Sequence, residues 1–148
     1  MYRNSIRAYC KTTVITADPG KLVIMCYEGA IEQLKIAKIK YQEKNYEAKF
    51  KALTKATNLI DELLYSLDFE KGGDISRHLQ AIYNYMTLRI LRADINRDID
   101  GIDEVIGLLT ELLSAWKEII AGQTGQSRKM QPESIEFNKE RTQQAVRM

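Results

Sequence analysis

Proline is nearly missing: the 148-residue chain has two, Pro19 and Pro132, and none in the long stretch between them. Nothing there forces a helix to break through a ring clash or a lost N–H, so long helices are permitted. Histidine is down to one, His78, with no cysteine nearby, and a metal site or general base would need ligands or an orienting partner that the sequence does not supply. The two cysteines, Cys10 and Cys26, form no CxxC pair; in a chain able to build a sizeable core they read as reduced thiols rather than a disulfide framework. No long apolar run is present either. The richest stretch, from Leu22, is interrupted by Glu28, Glu32, Lys35 and Lys38, too many charges for membrane insertion. The polar opening from Met1 to Cys10 lacks the apolar segment of a secretory signal, so a cytoplasmic protein is expected. Neither sign of charge dominates: 22 basic and 20 acidic residues are mixed along the chain, whereas a nucleic-acid binder would gather Lys and Arg on one face or arm.

Motifs that carry chemistry are equally scarce. The Glu-x-x-His pairs with which ferritin-like bundles hold two metal ions are absent. Asn96 to Gly101 begins like a calcium-binding EF-hand loop, but the twelfth position, which must supply a bidentate carboxylate, is Gly107. The same residues suit a helix-helix turn in which Asp98 or Asp100 caps the following helix. Gly122-Gln123-Thr124-Gly125 has the outline of a GxxG loop without flanking strands, and neither a GxSxG elbow nor a phosphate-binding loop is found. Neither enzymatic activity nor a cofactor is expected.

What the chain does have is helical periodicity. A 45% hydrophobic content in a chain of this length suffices for one domain with a buried core. Asp18-Pro19-Gly20 sets a cap before a proline at the first helical position, and Val23, Tyr27, Ala30, Leu34, Ala37 and Tyr41 then recur on one face, predicting a helix from about Pro19 to Glu43. A second stripe runs through Tyr46, Phe50, Leu53, Thr57, Ile60, Leu64 and Leu67. Gly72 and Gly73 are expected to end that helix, with Asp74 capping a third that carries Ile75, Leu79, Ile82, Tyr83, Met86, Ile90 and Ala93 and ends near Arg97. Leu88 and Leu91 widen its apolar face toward a second neighbour. A fourth stripe, from Ile102 through Leu109 and Trp116 to Ile120, is expected to stop at Gly122. Four amphipathic helices on short links predict an all-α protein, an antiparallel four-helix bundle over residues 18–121. Residues 1–17, rich in β-branched residues at Thr12 to Thr16, read as an extended N-terminal arm. Residues 122–148 read as a polar C-terminal tail, flexible or with a short helix after Ser134.

Eight tyrosines stand against three phenylalanines. A large apolar ring with a polar tip suits either a core boundary or a surface that is buried only when a partner arrives. Together these features describe a module that holds another polypeptide.

Several blocks resemble the flagellar secretion chaperones that bind flagellin, the FliS family. They are Thr16 to Ala30, with Asp18-Pro19-Gly20-Lys21-Leu22 and Tyr27-Glu28-Gly29; Leu67 to Ile75; Leu79 to Met86; and Leu112-Leu113-Ser114-Ala115-Trp116. The resemblance covers roughly Tyr2 to Ile120, with Cys26 where the family usually has leucine. It implies a cytosolic export chaperone that binds the C-terminal region of flagellin, prevents premature polymerisation and supports delivery to the export apparatus. Partners would then extend to that apparatus and to assembly regulators. Ile6, Tyr9, Leu22, Tyr27, Tyr83, Leu112 and Trp116 are the expected client contacts. The competing expectation is a helical dimeric structural or signalling module, which would self-associate stably and ignore flagellin.

Overall fold

The computed structural model describes residues 19–125, and within them the chain forms four helices: α1 (Pro19–Gln42), α2 (Tyr46–Tyr65), α3 (Phe69–Asn96) and α4 (Ile99–Gly125). The expected arm and most of the expected tail, and with them Asp18, lie outside the described residues. Backbone contacts link α1 to α2, α2 to α3, α3 to α4 and α4 back to α1, so the helices stand at the corners of a square with α1 opposite α3. Links of two or three residues leave each helix no route but to fold back on its predecessor.

Each turn has an identifiable cause. Lys44 takes a left-handed conformation (φ 60°), and Asn45 then caps α2 by accepting from the Ala48 N–H at 3.2 Å. Ser66 closes α2 with its hydroxyl on the Leu63 carbonyl at 2.8 Å. Arg97 closes α3 in a left-handed conformation (φ 54°), and Asp98 caps α4 by accepting from the Asp100 N–H at 3.1 Å. Arg97 also lies 5.6 Å from the ring centre of Tyr46 and accepts from the Tyr41 hydroxyl at its carbonyl, tying the two turns at this end together.

Three boundaries differ from the expectation, the first being the end of α2 at Tyr65, short of Gly72 and Gly73. The third helix starts at Phe69 rather than after the glycines, because the Asp68 carboxylate accepts from both the Glu70 and Lys71 N–H groups at 3.0 Å; Asp74 pairs instead with Arg77. Gly73 then interrupts the helix with φ 51° and ψ −122°, a kink that a side chain would resist. Gly122 does not end α4, which runs on to Gly125; a glycine inside a helix costs only about 1 kcal/mol.

The core is drawn from all four helices. Cys26, Tyr27, Ala30, Leu34 and Ala37 of α1 meet Ala52, Leu53, Ala56, Ile60 and Leu63 of α2, and the other half comes from Leu79 to Ala93 and Ile102 to Leu113. Small residues let α1 and α2 approach so closely that a Cβ on Gly29 would lie 3.0 Å from Leu59. The expected stripes on α1 and α3 are buried from Tyr27 to Ala37 and from Leu79 to Ala93, with Val23, Tyr41 and Ile75 at their ends partly buried. The one on α2 holds at Leu53 and Ile60 but is displaced at its start: Tyr46 and Phe50 are exposed, and Ala52, Ala56 and Leu63 join the interior positions. Leu88 and Leu91 face solvent and not a second neighbour among the described residues.

Candidate functional site

The expected contact residues fall into three groups. Ile6 and Tyr9 lie outside the described residues. Leu22, Leu112 and Trp116 are partly buried, packed against the core from α1 and α4. Tyr27 and Tyr83 are wholly inside, with 0% and 2% of their surface exposed.

The structure brings three of these residues together. The Tyr27 and Tyr83 hydroxyls meet at 2.5 Å, and Trp116 Nε1 donates to the Tyr27 hydroxyl at 3.1 Å. Because α1 and α3 occupy opposite corners, this network crosses the centre of the bundle and joins three helices. The two rings are tilted by 59° with centroids 6.3 Å apart. Burial pushes both phenols well above their ordinary pKa, with the neighbouring Tyr83 adding to the shift at Tyr27. Both hydroxyls are therefore neutral, and the network serves to satisfy polar groups in an apolar interior.

A second network ties α3 to α4. Arg89 donates to Glu104 at 2.9 Å and to Asp98 at 3.2 Å, and the Tyr85 hydroxyl donates to Glu104. Burial works to raise the Glu104 pKa, but the hydrogen bonds from Tyr85 and Arg89 outweigh it and the net shift is downward. Gly101 makes room for this crossing, since a Cβ there would fall 2.6 Å from the Arg89 guanidinium.

The surface feature that distinguishes the bundle is a groove of about 520 Å³ between α2 and α3. Its floor is the buried Leu53 and Ile90, and its walls include Phe50, Leu88 and Leu91, which are 61%, 45% and 56% exposed. Ile95, 71% exposed, follows Leu91 by one helical turn and extends the apolar line. Threonines 54, 57 and 87, Asn58, Asp61 and Asp94 complete the lining. No described element covers the groove. Its residues are absent from the expected contacts, although one signal was present. Leu88, Leu91 and Ile95 recur at helical spacing on a helix whose core stripe is already complete through Leu79, Ile82, Met86 and Ile90.

Among the described residues no cluster of His, Cys, Asp and Glu is arranged to hold a metal, and no helix is long and apolar enough to cross a membrane. The arrangement offers a groove with apolar walls and a polar rim on the bundle surface.

Comparison with known proteins places this architecture. Residues 2–123 match the family model described as flagellar protein FliS. The flagellar secretion chaperone FliS of Salmonella typhimurium is 40% identical over 125 residues, covering 80% of this chain and 93% of that protein. The flagellar secretion chaperone FliS of Bacillus subtilis is 34% identical over 118 residues, covering 80% and 87%, and that of Vibrio cholerae 37% over 121 residues, covering 79% and 89%. With a family match over most of its length and relatives at this level of identity, the chain belongs to the flagellar protein FliS family.

Proposed function

We propose that this protein is a cytosolic export chaperone for flagellin, holding the C-terminal segment of that subunit so that it cannot polymerise before export. The observation that carries the reading is the uncovered α2–α3 groove, in a family whose curated relatives are named as flagellar secretion chaperones. An amphipathic segment that folds on binding lays its apolar side into such a channel with anchors one turn apart, matching the spacing of Leu88, Leu91 and Ile95. The ordering entropy of the client lowers the net affinity, which suits a complex that must be dismantled at the export apparatus. Leu22, Leu112 and Trp116 supply a second apolar surface on the α1–α4 side, and Ile6 and Tyr9, outside the described residues, are further proposed client contacts. Tyr27 and Tyr83 act from beneath, holding Trp116 in place.

The test is calorimetry and size-exclusion chromatography with flagellin. Leu91→Asp should weaken binding by on the order of tenfold or more without lowering the melting temperature, and flagellin lacking its C-terminal segment should not bind. Undiminished binding by either variant removes the mechanism. Stable self-association with indifference to flagellin would favour a dimeric interaction module.

A further inference from the structure

The family match ends at residue 123, and α4 ends at Gly125, yet the chain continues to Met148. We infer that this C-terminal tail, residues 126–148, docks in the α2–α3 groove of its own chain when no client is bound. Its regulatory meaning rests on the groove being the client site, whereas the docking itself is measurable without a client.

Length and starting point allow it. Glu104, bonded to Tyr85 and Arg89, stands level with the groove residues Thr87 and Leu88, and Gly125 lies lower on α4 by ~32 Å of helix. Reaching the groove also means passing α3, a further ~10 Å sideways. An extended chain spans ~3.3 Å per residue, so Ile135 falls ~33 Å from Gly125, at the near rim, and Phe137 at ~40 Å, inside. Val146 and Met148 lie further along and can follow even if part of the tail coils.

Composition favours it too. The bulky apolar residues of the tail are spaced widely between polar ones, so they cannot bury one another, while Phe50, Leu88 and Leu91 wait uncovered. The tail has five basic residues against three acidic, which accounts for the whole net charge of +2 on the chain. The groove is lined by Asp61 and Asp94 and by no lysine or arginine, although Lys49 pairs with Asp94 from its edge. Attachment supplies the rest: a tether of this length holds the tail at an effective concentration of about a millimolar, so intrinsically weak docking still fills the groove for most of the time. A client must then displace it.

The experiment compares the full chain with the full-chain double variant Ile135→Asp/Phe137→Asp by methyl NMR without client, and then by titration with flagellin. The groove methyls of Leu88, Leu91 and Ile95 should shift in the variant at every protein concentration, while the core methyls of Val105 and Leu109 stay in place. Flagellin affinity should rise about tenfold as the internal competitor is lost. Groove methyls that do not move overturn the docking, and shifts that depend on protein concentration assign the tail to a second copy and overturn it equally. Shifted methyls with unchanged flagellin affinity would leave the docking in place and remove the groove from the client reading.

Discussion

Two hydroxyls 2.5 Å apart tie helices at opposite corners of the bundle together. Removing Tyr83 oxygen takes one partner from Tyr27 and should cost about 0.5–1.5 kcal/mol, whereas Tyr27→Phe strands both Tyr83 and the Trp116 N–H and should cost about 1–3 kcal/mol. The double variant should lose less than the sum, because the second oxygen has no partner once the first is gone. Urea unfolding followed by the emission of Trp116, the one tryptophan, measures all three, and strict additivity would show that the hydroxyls do not interact. The same pair has a pH signature. Both phenols have a folded pKa above the unfolded value of ~10, so their contribution is fully present below that pH and is lost as pH rises through the folded values. The double phenylalanine variant should show a shallower alkaline fall in stability. Sequence marked Tyr27 and Tyr83 as noteworthy but not as partners, because residues 56 apart meet only through the arrangement of the helices.

At the scale of the element, the stripe on α1 was legible because small and large apolar residues recur there without competition. On α2 it was not. Tyr46 and Phe50 fit the helical period as well as Ala52 and Ala56 do, and what decides between them is the close approach of α1, which favours alanines at the contact. Phe50 was thereby displaced from the core to the groove, and Tyr46 to the flank of Lys49 and Arg97. The start of α3 lies at Asp68 and not at the expected cap Asp74, because it is fixed by hydrogen bonds that spacing does not reveal. Asp68→Ala should cost about 1 kcal/mol, since it frees two N–H groups at the helix start. Asp74→Ala should cost much less, because its pair with Arg77 is solvent-exposed. Equal losses in thermal or urea unfolding would mean that the helix effectively begins after Gly73.

For the whole molecule, four connected corners and a filled interior account for stability, and the exposed walls of the groove add little to it. Burying a leucine relative to leaving it exposed is worth roughly 1.5–3 kcal/mol, and that sum is withheld at Leu88, Leu91 and Ile95 until something covers them. In a chain cut after Gly125, where no tail can reach the stripe, Leu91→Lys should accordingly leave the melting temperature within about 1 °C while raising the concentration at which the free protein begins to scatter light. An unchanged scattering threshold would mean that the exposed stripe does not drive self-association. The same exposure bears on supply. A cell that makes more of this protein than it has cargo for accumulates idle molecules whose stripe has only a weakly docked tail over it, and one that makes less leaves cargo unguarded. Synthesis of the two should therefore rise and fall together, the ratio enforced by the greasy side of a single helix.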